Sequence, residues 1–391
     1  MDFIVGLINL NFTPSHNGSI STSVRFIYNS DCCDSDPSFF APDSAELAIF
    51  ARNSRIEMSM SNEYSDGVRL TFLGTGTSLG VPIIGCHCGT CSSKDPRDKR
   101  FRASAFVEYG GLKILVDAGP DFRMQMLRAN LSHLDAILLT HNHKDHTGGL
   151  DDVRALNYID RRAAEIYCEE NVLRDLINEY PYVFSFPKYP GSPEWHLHMI
   201  DEKPFLVFPN AEDKELIWVH DVGYHYRLAD GTLVPTAKKV EDMYDEARGV
   251  PENVVSGILK NEDFDGSALN GNAPVIPIRG LHDKLPVLGF RFGKIAYITD
   301  MSSIPESEFS KLHGLRHVTL NTVSYNKHHS HFSLDEALEM ADRIGAEHTW
   351  LTHLSMSFPP YEQFAQQLRQ LCQDRHIHSD VLPAYDGLMI S

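Results

Sequence analysis

A chain of 391 residues with 42% hydrophobic side chains is long enough to bury a large core. Its formal net charge of -18 argues against broad electrostatic capture of long nucleic acid, and no apolar run is long enough to span a bilayer. Seven cysteines, three of them clustered within six residues, fit a reducing compartment and a cytoplasmic protein.

Residues 1–66 are rich in Ser, Asn, Asp and Pro without sustained periodicity, which reads as a disordered leader. The apolar stretch 3–12 follows Asp2 with no Lys or Arg before it, unlike a signal peptide. Met58 or Met60 is read as a natural start, with the residues ahead of it dispensable. Strand and turn punctuation begins at Val68: a strand over 68–73, a loop carrying Cys86, Cys88 and Cys91, strands over 104–109 and 113–117, a helix over 122–129 and a strand over 136–139. Helices over 150–158 and 171–179 flank a strand over 165–168. An acidic segment, 207–271, comes next; within it 211–270 hold 13 Asp or Glu against 6 Lys or Arg, the composition of a surface elaboration or lid. A short strand over 275–278 leads to Gly280-Leu281-His282, and a hairpin over 287–292 and 295–298 closes on Thr299-Asp300. A strand over 318–322, a helix over 334–344 behind Ser333, a strand over 350–352 ending at His353, an amphipathic helix over 361–372 and a last strand region over 381–390 complete the chain.

The densest chemistry lies in Thr140-His141-Asn142-His143-Lys144-Asp145-His146-Thr147-Gly148-Gly149, directly after an apolar strand. Imidazole and carboxylate together suit divalent zinc, manganese or iron. His141 and His143 fall on one side of an extended loop, whereas Asp145 and His146, one step further on, can turn to a second ion. One segment can therefore seed a pair of metals.

This pattern resembles the HxHxDH signature of the metallo-β-lactamase superfamily, whose fold is an α/β four-layer αβ/βα sandwich. The resemblance implies a hydrolase domain over 67–391, with the acidic segment as an insertion. It also implies that His141, His143 and His282 hold one ion, that Asp145, His146 and His353 hold the other, and that Asp300 bridges them. Asp117, at the end of the strand over 113–117, matches a residue that orients a ligating histidine.

A narrower resemblance rests on Phe72-Leu73-Gly74-Thr75-Gly76-Thr77-Ser78-Leu79-Gly80-Val81-Pro82 and Cys86-His87-Cys88-Gly89-Thr90-Cys91. These are similar to the cyclic phosphodiesterase branch that includes the accessory phosphodiesterase of carbon-phosphorus lyase, a relative of tRNase Z. That branch implies a structural zinc held by Cys86, Cys88 and Cys91, with a histidine three residues after the last catalytic ligand as fourth donor. Here that position is Met356, a poor zinc ligand, which leaves another group such as His87 or a weaker clip. The resemblance further places His331 at the substrate phosphate. In the basic run Arg97, Lys99, Arg100 and Arg102, Arg102 is the candidate for a second substrate phosphate.

The implied reaction is attack of a metal-bridging hydroxide on a small cyclic phosphodiester, a phosphoribosyl 1,2-cyclic phosphate or a 2',3'-cyclic nucleotide. Asp145, Asp300 and His331 are the catalytic candidates, and two zinc or manganese ions, with an additional structural zinc, are the expected cofactors. A small phosphorylated substrate is expected rather than extended nucleic acid or membrane, and the branch implies a homodimer. Thioester or lactone hydrolysis and tRNase Z-like RNA 3'-end cleavage keep the same fold, and a metal-binding or redox module without hydrolysis is a third class.

Overall fold

The computed structural model describes residues 67–185, 189, 191–207 and 273–391, together with strands 9–14, 20–25, 215–219, 223–227 and 233–235. The chain divides into two compact units, Met1–Tyr64 and Ser65–Ser391. In the first, β1 (Asn9–Pro14) pairs antiparallel with β2 (Ile20–Arg25), a ladder not anticipated for an unstructured leader. The rest of residues 1–66, including Met58 and Met60, lies outside the described residues.

The strands of the second unit are, in chain order, β3 (Val68–Gly74), β4 (Ser104–Tyr109), β5 (Leu112–Val116), β6 (Ala136–Leu138), β7 (Ala164–Cys168), β8 (Trp195–Met199) and β9 (Phe205–Val207). Next come β10 (Glu215–Val219), β11 (Gly223–Arg227) and β12 (Leu233–Pro235), an antiparallel sheet of their own inside the acidic segment, the remainder of which lies outside the described residues. The chain continues with β13 (Ala273–His282), β14 (Leu285–Phe292), β15 (Ile295–Tyr297), β16 (His317–Asn321), β17 (His348–Thr352), β18 (Asp380–Pro383) and β19 (Met389–Ile390).

Two seven-stranded sheets result, ordered β19-β3-β4-β5-β6-β7-β8 and β18-β17-β16-β15-β14-β13-β9. Each is antiparallel on one side and parallel on the other: β5 through β8 run parallel in the first, β15 through β18 in the second. Parallel strands must be covered on both faces, which accounts for the apolar runs Ile114 to Val116 in β5 and Ala136 to Leu138 in β6. Alternation sorts their side chains into layers: Ile114 and Val116 enter the core shared with Leu288, Phe290 and Tyr297 of the other sheet. Leu115, between them, turns outward to Phe122, Met126 and Leu173 on helices. A third core packs Val318, Leu320 and Leu351 against the helices Leu334–Ile344 and Tyr361–Arg375. Helix, sheet, sheet, helix is the order of layers, the αβ/βα sandwich that the sequence implied.

The helix Leu334–Ile344 has the expected bounds because both ends are encoded: Ser333 and Glu336 form a reciprocal capping box, and Gly345 takes φ 66° at the other end. Three expectations shift. The expected helix over 150–158 is a 3-10 turn, Leu150–Val153, followed by the helix Arg154–Asp160. The single final strand region is two strands on different sheets, because Pro383 ends β18 and the chain crosses the core at buried Ala384 before Gly387, at φ 94°, turns it into β19. The edge strand β8 was not anticipated, although Trp-His-Leu-His-Met alternates apolar and polar side chains as a half-buried strand does.

Leu338 is fully buried in the third core, so Leu338→Ala should lower stability by about 2–5 kcal/mol. Glu339→Ala, on the exposed face beside it, should change stability by less than about 0.5 kcal/mol. Urea midpoints of the two variants check this, and coincident midpoints would contradict the layer assignment.

Candidate metal centre

The chemistry-bearing residues lie at strand ends on one edge of the sandwich. Asp117 follows β5, the run from His141 to His146 follows β6, and His282 ends β13, one position inside the strand rather than after it. Asp300 follows β15, His331 lies in the loop after β16, and His353 follows β17. Asp117, Asp300 and His353 adopt left-handed backbone, with φ of 64°, 55° and 57°. For such residues that conformation costs about 1–3 kcal/mol each and persists where the surroundings impose it. The acidic turn is zipped to the metal loop by Ala118 N–H donating to the His146 carbonyl and Gly149 N–H donating to the Ala118 carbonyl. Gly119 is required there, because a Cβ would run into the Asp145 carbonyl oxygen.

The side chains gather into two groups whose ligand atoms lie within 4.8 Å of one another: His141, His143 and His282, and Asp145, His146, Asp300 and His353. Asp300 touches both. Its Oδ2 stands 2.5 Å from His146 Nε2 and 3.5 Å from His141 Nε2, and its Oδ1 stands 2.8 Å from His353 Nε2. These approaches lack hydrogen-bond geometry: the Nε2 atoms of His141, His146 and His353 are buried without a hydrogen-bond partner. A buried unsatisfied polar atom costs about 1–3 kcal/mol. Several of them converging on one carboxylate form a donor set that fits divalent cations, three imidazoles on one side and two imidazoles with a carboxylate on the other.

The hydrogen bonds behind the ligands fix which ring nitrogen faces inward. His146 Nδ1 donates to Asp117 Oδ2 at 2.7 Å, and His282 Nδ1 donates to the Ser330 carbonyl at 2.7 Å, so both present Nε2 to the centre. Thr140 donates its hydroxyl to Asp117 and accepts from His141 Nδ1 at 2.9 Å. Asp117 therefore orients one imidazole of each group, directly for His146 and through Thr140 for His141. Burial, then the neighbouring His146, pushes the His141 pKa well below that of a free imidazole. Burial would raise the Asp300 carboxyl, but the facing His353 and His146 hold it well below its usual range.

His331 joins the two groups. Its ring centroid lies 4.6 Å from that of His282 and 4.7 Å from that of His353, and its Nδ1 is 3.7 Å from Asp300 Oδ1. Burial, then His353, lowers its pKa to about 3, so it is neutral near pH 7. His328 supports the site from behind. Its Nδ1 accepts from Ser330 N–H at 3.3 Å and faces the Ser330 hydroxyl at 3.1 Å, steadying the residue whose carbonyl holds His282. No signal beyond a His-rich loop marked it.

The basic run is used within the fold. Arg97 pairs with Asp95 and Glu362, Lys99 donates to the Cys91 carbonyl, and buried Arg100 donates to Thr75 and to the Ala384 carbonyl. Arg102, the candidate for a substrate phosphate, donates to both oxygens of Asp121 and to the Ser78 carbonyl. Cys86, Cys88 and Cys91 bring their sulfurs within 4.8 Å of one another, and His87 is not among the ligand-distance group.

Two groups of candidate ligands sharing an aspartate at the strand ends of an αβ/βα sandwich are the arrangement of a metallo-β-lactamase-type site. The sequence matches the family described as beta-lactamase superfamily domain over residues 113–212 and 253–354, more than half of the chain, and the protein belongs to that superfamily. Among solved structures it is similar to a diphosphatase from the PhnP family, at 29% identity and a TM-score of 0.58 over 83% of this chain and 97% of that one. Ribonuclease Z of Chlamydia trachomatis serovar L2 is 25% identical over 306 residues, 75% of this chain and 92% of that protein. An octanoyltransferase of Porphyromonas gingivalis is 33% identical over 323 residues, 82% of this chain. The match takes in 51% of that protein, so the chain spans about half the length of this relative.

Asp117→Asn replaces the acceptor for His146 with a donor and should lower metal affinity by about 10–100-fold while leaving the fold intact. Equilibrium dialysis against zinc measures it, and wild-type affinity in the variant would contradict the role given to Asp117.

Proposed function

We propose that this protein is a metal-dependent phosphoric diester hydrolase acting on a small cyclic phosphate, a phosphoribosyl 1,2-cyclic phosphate or a 2',3'-cyclic nucleotide. The observation that carries the reading is Asp300 between the two donor groups with His331 beside it. When bound, two zinc or manganese ions supply Lewis acidity and a water acidic enough to deprotonate near pH 7. His141, His143 and His282 would hold one ion, and Asp145, His146 and His353 the other. The Asp300 carboxylate, which faces both donor groups, would lie between them. His331, neutral and unpartnered at Nδ1, offers one N–H to a phosphoryl oxygen as charge gathers there. No side chain in the site need become a covalent nucleophile. The likeness to a PhnP-family diphosphatase and to ribonuclease Z supports phosphorus as the electrophile.

The likeness to an octanoyltransferase supports a second reading, hydrolysis of a fatty-acyl thioester at the same centre. A substrate panel separates the two. Metal-loaded protein should hydrolyse bis(p-nitrophenyl) phosphate and a 2',3'-cyclic nucleotide, lose that activity in His143→Ala, and lose roughly 10²–10³-fold in kcat in His331→Ala. Turnover of an octanoyl thioester or a lactone without turnover of either phosphodiester would displace the first reading.

A further inference from the structure

The imidazoles of the centre are not all aimed by the same means. His141, His146 and His282 each have a hydrogen bond behind the ring at Nδ1. His353 does not: its Nδ1 and Nε2 are both buried without a hydrogen-bond partner, and the His331 ring stacked 4.7 Å away bonds to neither. Its direction must therefore come from the backbone, which takes φ 57° at His353. For a residue with a side chain that conformation persists only where the surroundings impose it. Immediately after it, Leu354 N–H donates to the Thr75 carbonyl at 2.9 Å, and Gly76 and Leu354 form a parallel bridge. Thr75, fully buried, is itself clamped. Its hydroxyl donates to Asp386 Oδ1 at 2.8 Å and accepts from the Arg100 guanidinium at 2.9 Å. Asp386 Oδ2 accepts Phe101 N–H at 2.7 Å, and Gly76 N–H donates to the Phe101 carbonyl at 2.8 Å. Arg128 closes the far side, 3.4 Å from Asp386 Oδ2 and donating to the Asp386 carbonyl at 3.3 Å. Burial pushes the Asp386 carboxyl up to about 6, so at pH 7 it is ionised and both oxygens accept.

We propose that Asp386 is a positioning residue for the centre: through Thr75 it holds the backbone that aims His353, and so controls the ion position of Asp145, His146 and His353 without touching it. The proposal rests on the two-ion reading of the centre and not on its substrate. Asp386 lies in the turn between β18 and β19, far along the chain from Thr75 after β3, so the link joins the ends of both sheets. His141, His143 and His282 have no part in it. Loosening the link should therefore cost one ion position and spare the other, a selectivity that a general loss of stability would not give.

Manganese titration of the full chain, followed by electron paramagnetic resonance, tests this independently of catalysis. Manganese is the probe because oxygen ligands suit it and the thiolates of the cysteine loop do not. The wild type should take up two ions and give the spectrum of a spin-coupled pair. Asp386→Ala should bind the first ion as the wild type does and the second about 10–100-fold more weakly, leaving the spectrum of an isolated ion at equal loading. Thr75→Ala cuts the same link from its other end, carries the test if Asp386→Ala does not fold, and should show the same selective loss. Thr75→Ser restores the hydroxyl and should restore the coupled pair. Wild-type affinity for the second ion in the folded alanine variants, or an equal loss at both positions, would overturn the proposal alone. Uptake of fewer than two ions by the wild type would overturn the two-ion centre and the proposal with it.

Discussion

Buried imidazole nitrogens with nothing to bond to set the terms for this molecule. His141, His146 and His353 turn Nε2 toward the Asp300 carboxylate without hydrogen bonds, an arrangement that would cost several kcal/mol in a protein without another use for those lone pairs. The cost is imposed by the scaffold. Asp117, fully buried, takes the far side of His146 and, through Thr140, of His141, and the left-handed backbone at Asp117, Asp300 and His353 aims each side chain inward. Cations at the convergence would relieve the arrangement, so the energetics of the fold and the chemistry proposed for the site would share one origin.

The two sheets divide the work. The first contributes the contiguous run His141 to His146 from one strand end, and the second contributes His282, Asp300, His331 and His353 from β13, β15, β16 and β17. Neither half completes either ligand group. The shared core of Ile114, Val116, Leu288, Phe290 and Tyr297 therefore does more than stabilise the sandwich, since it sets the registry in which Asp300 reaches both groups.

Much of this was legible in the sequence because the informative features are local. The HxHxDH run, the apolar strands before it, and the strand ends at His282, Asp300 and His353 each carry their own signature, and the ordered set pointed to one fold. Helix bounds were legible where caps are written in the chain, as at Ser333 and Gly345. What sequence could not supply depends on contacts distant along the chain. The engagement of Arg102 by Asp121 and of Arg100 by Thr75, the crossing of the chain between sheets after Pro383, and the bond from His282 to the Ser330 carbonyl are settled by packing, not by spacing. The edge strand β8 carries the alternation of a half-buried strand and was overlooked; only the fold shows that Glu165 of the neighbouring β7 takes both of its imidazoles, His196 and His198.

Two cations are expected, one on either side of the Asp300 carboxylate. Anomalous diffraction from crystals of zinc- or manganese-loaded protein tests it most directly. Two peaks about 3.5–4 Å apart, one against His141, His143 and His282 and the other against Asp145, His146 and His353, are the predicted result. A single peak, or a pair that leaves Asp300 uncoordinated, would contradict it.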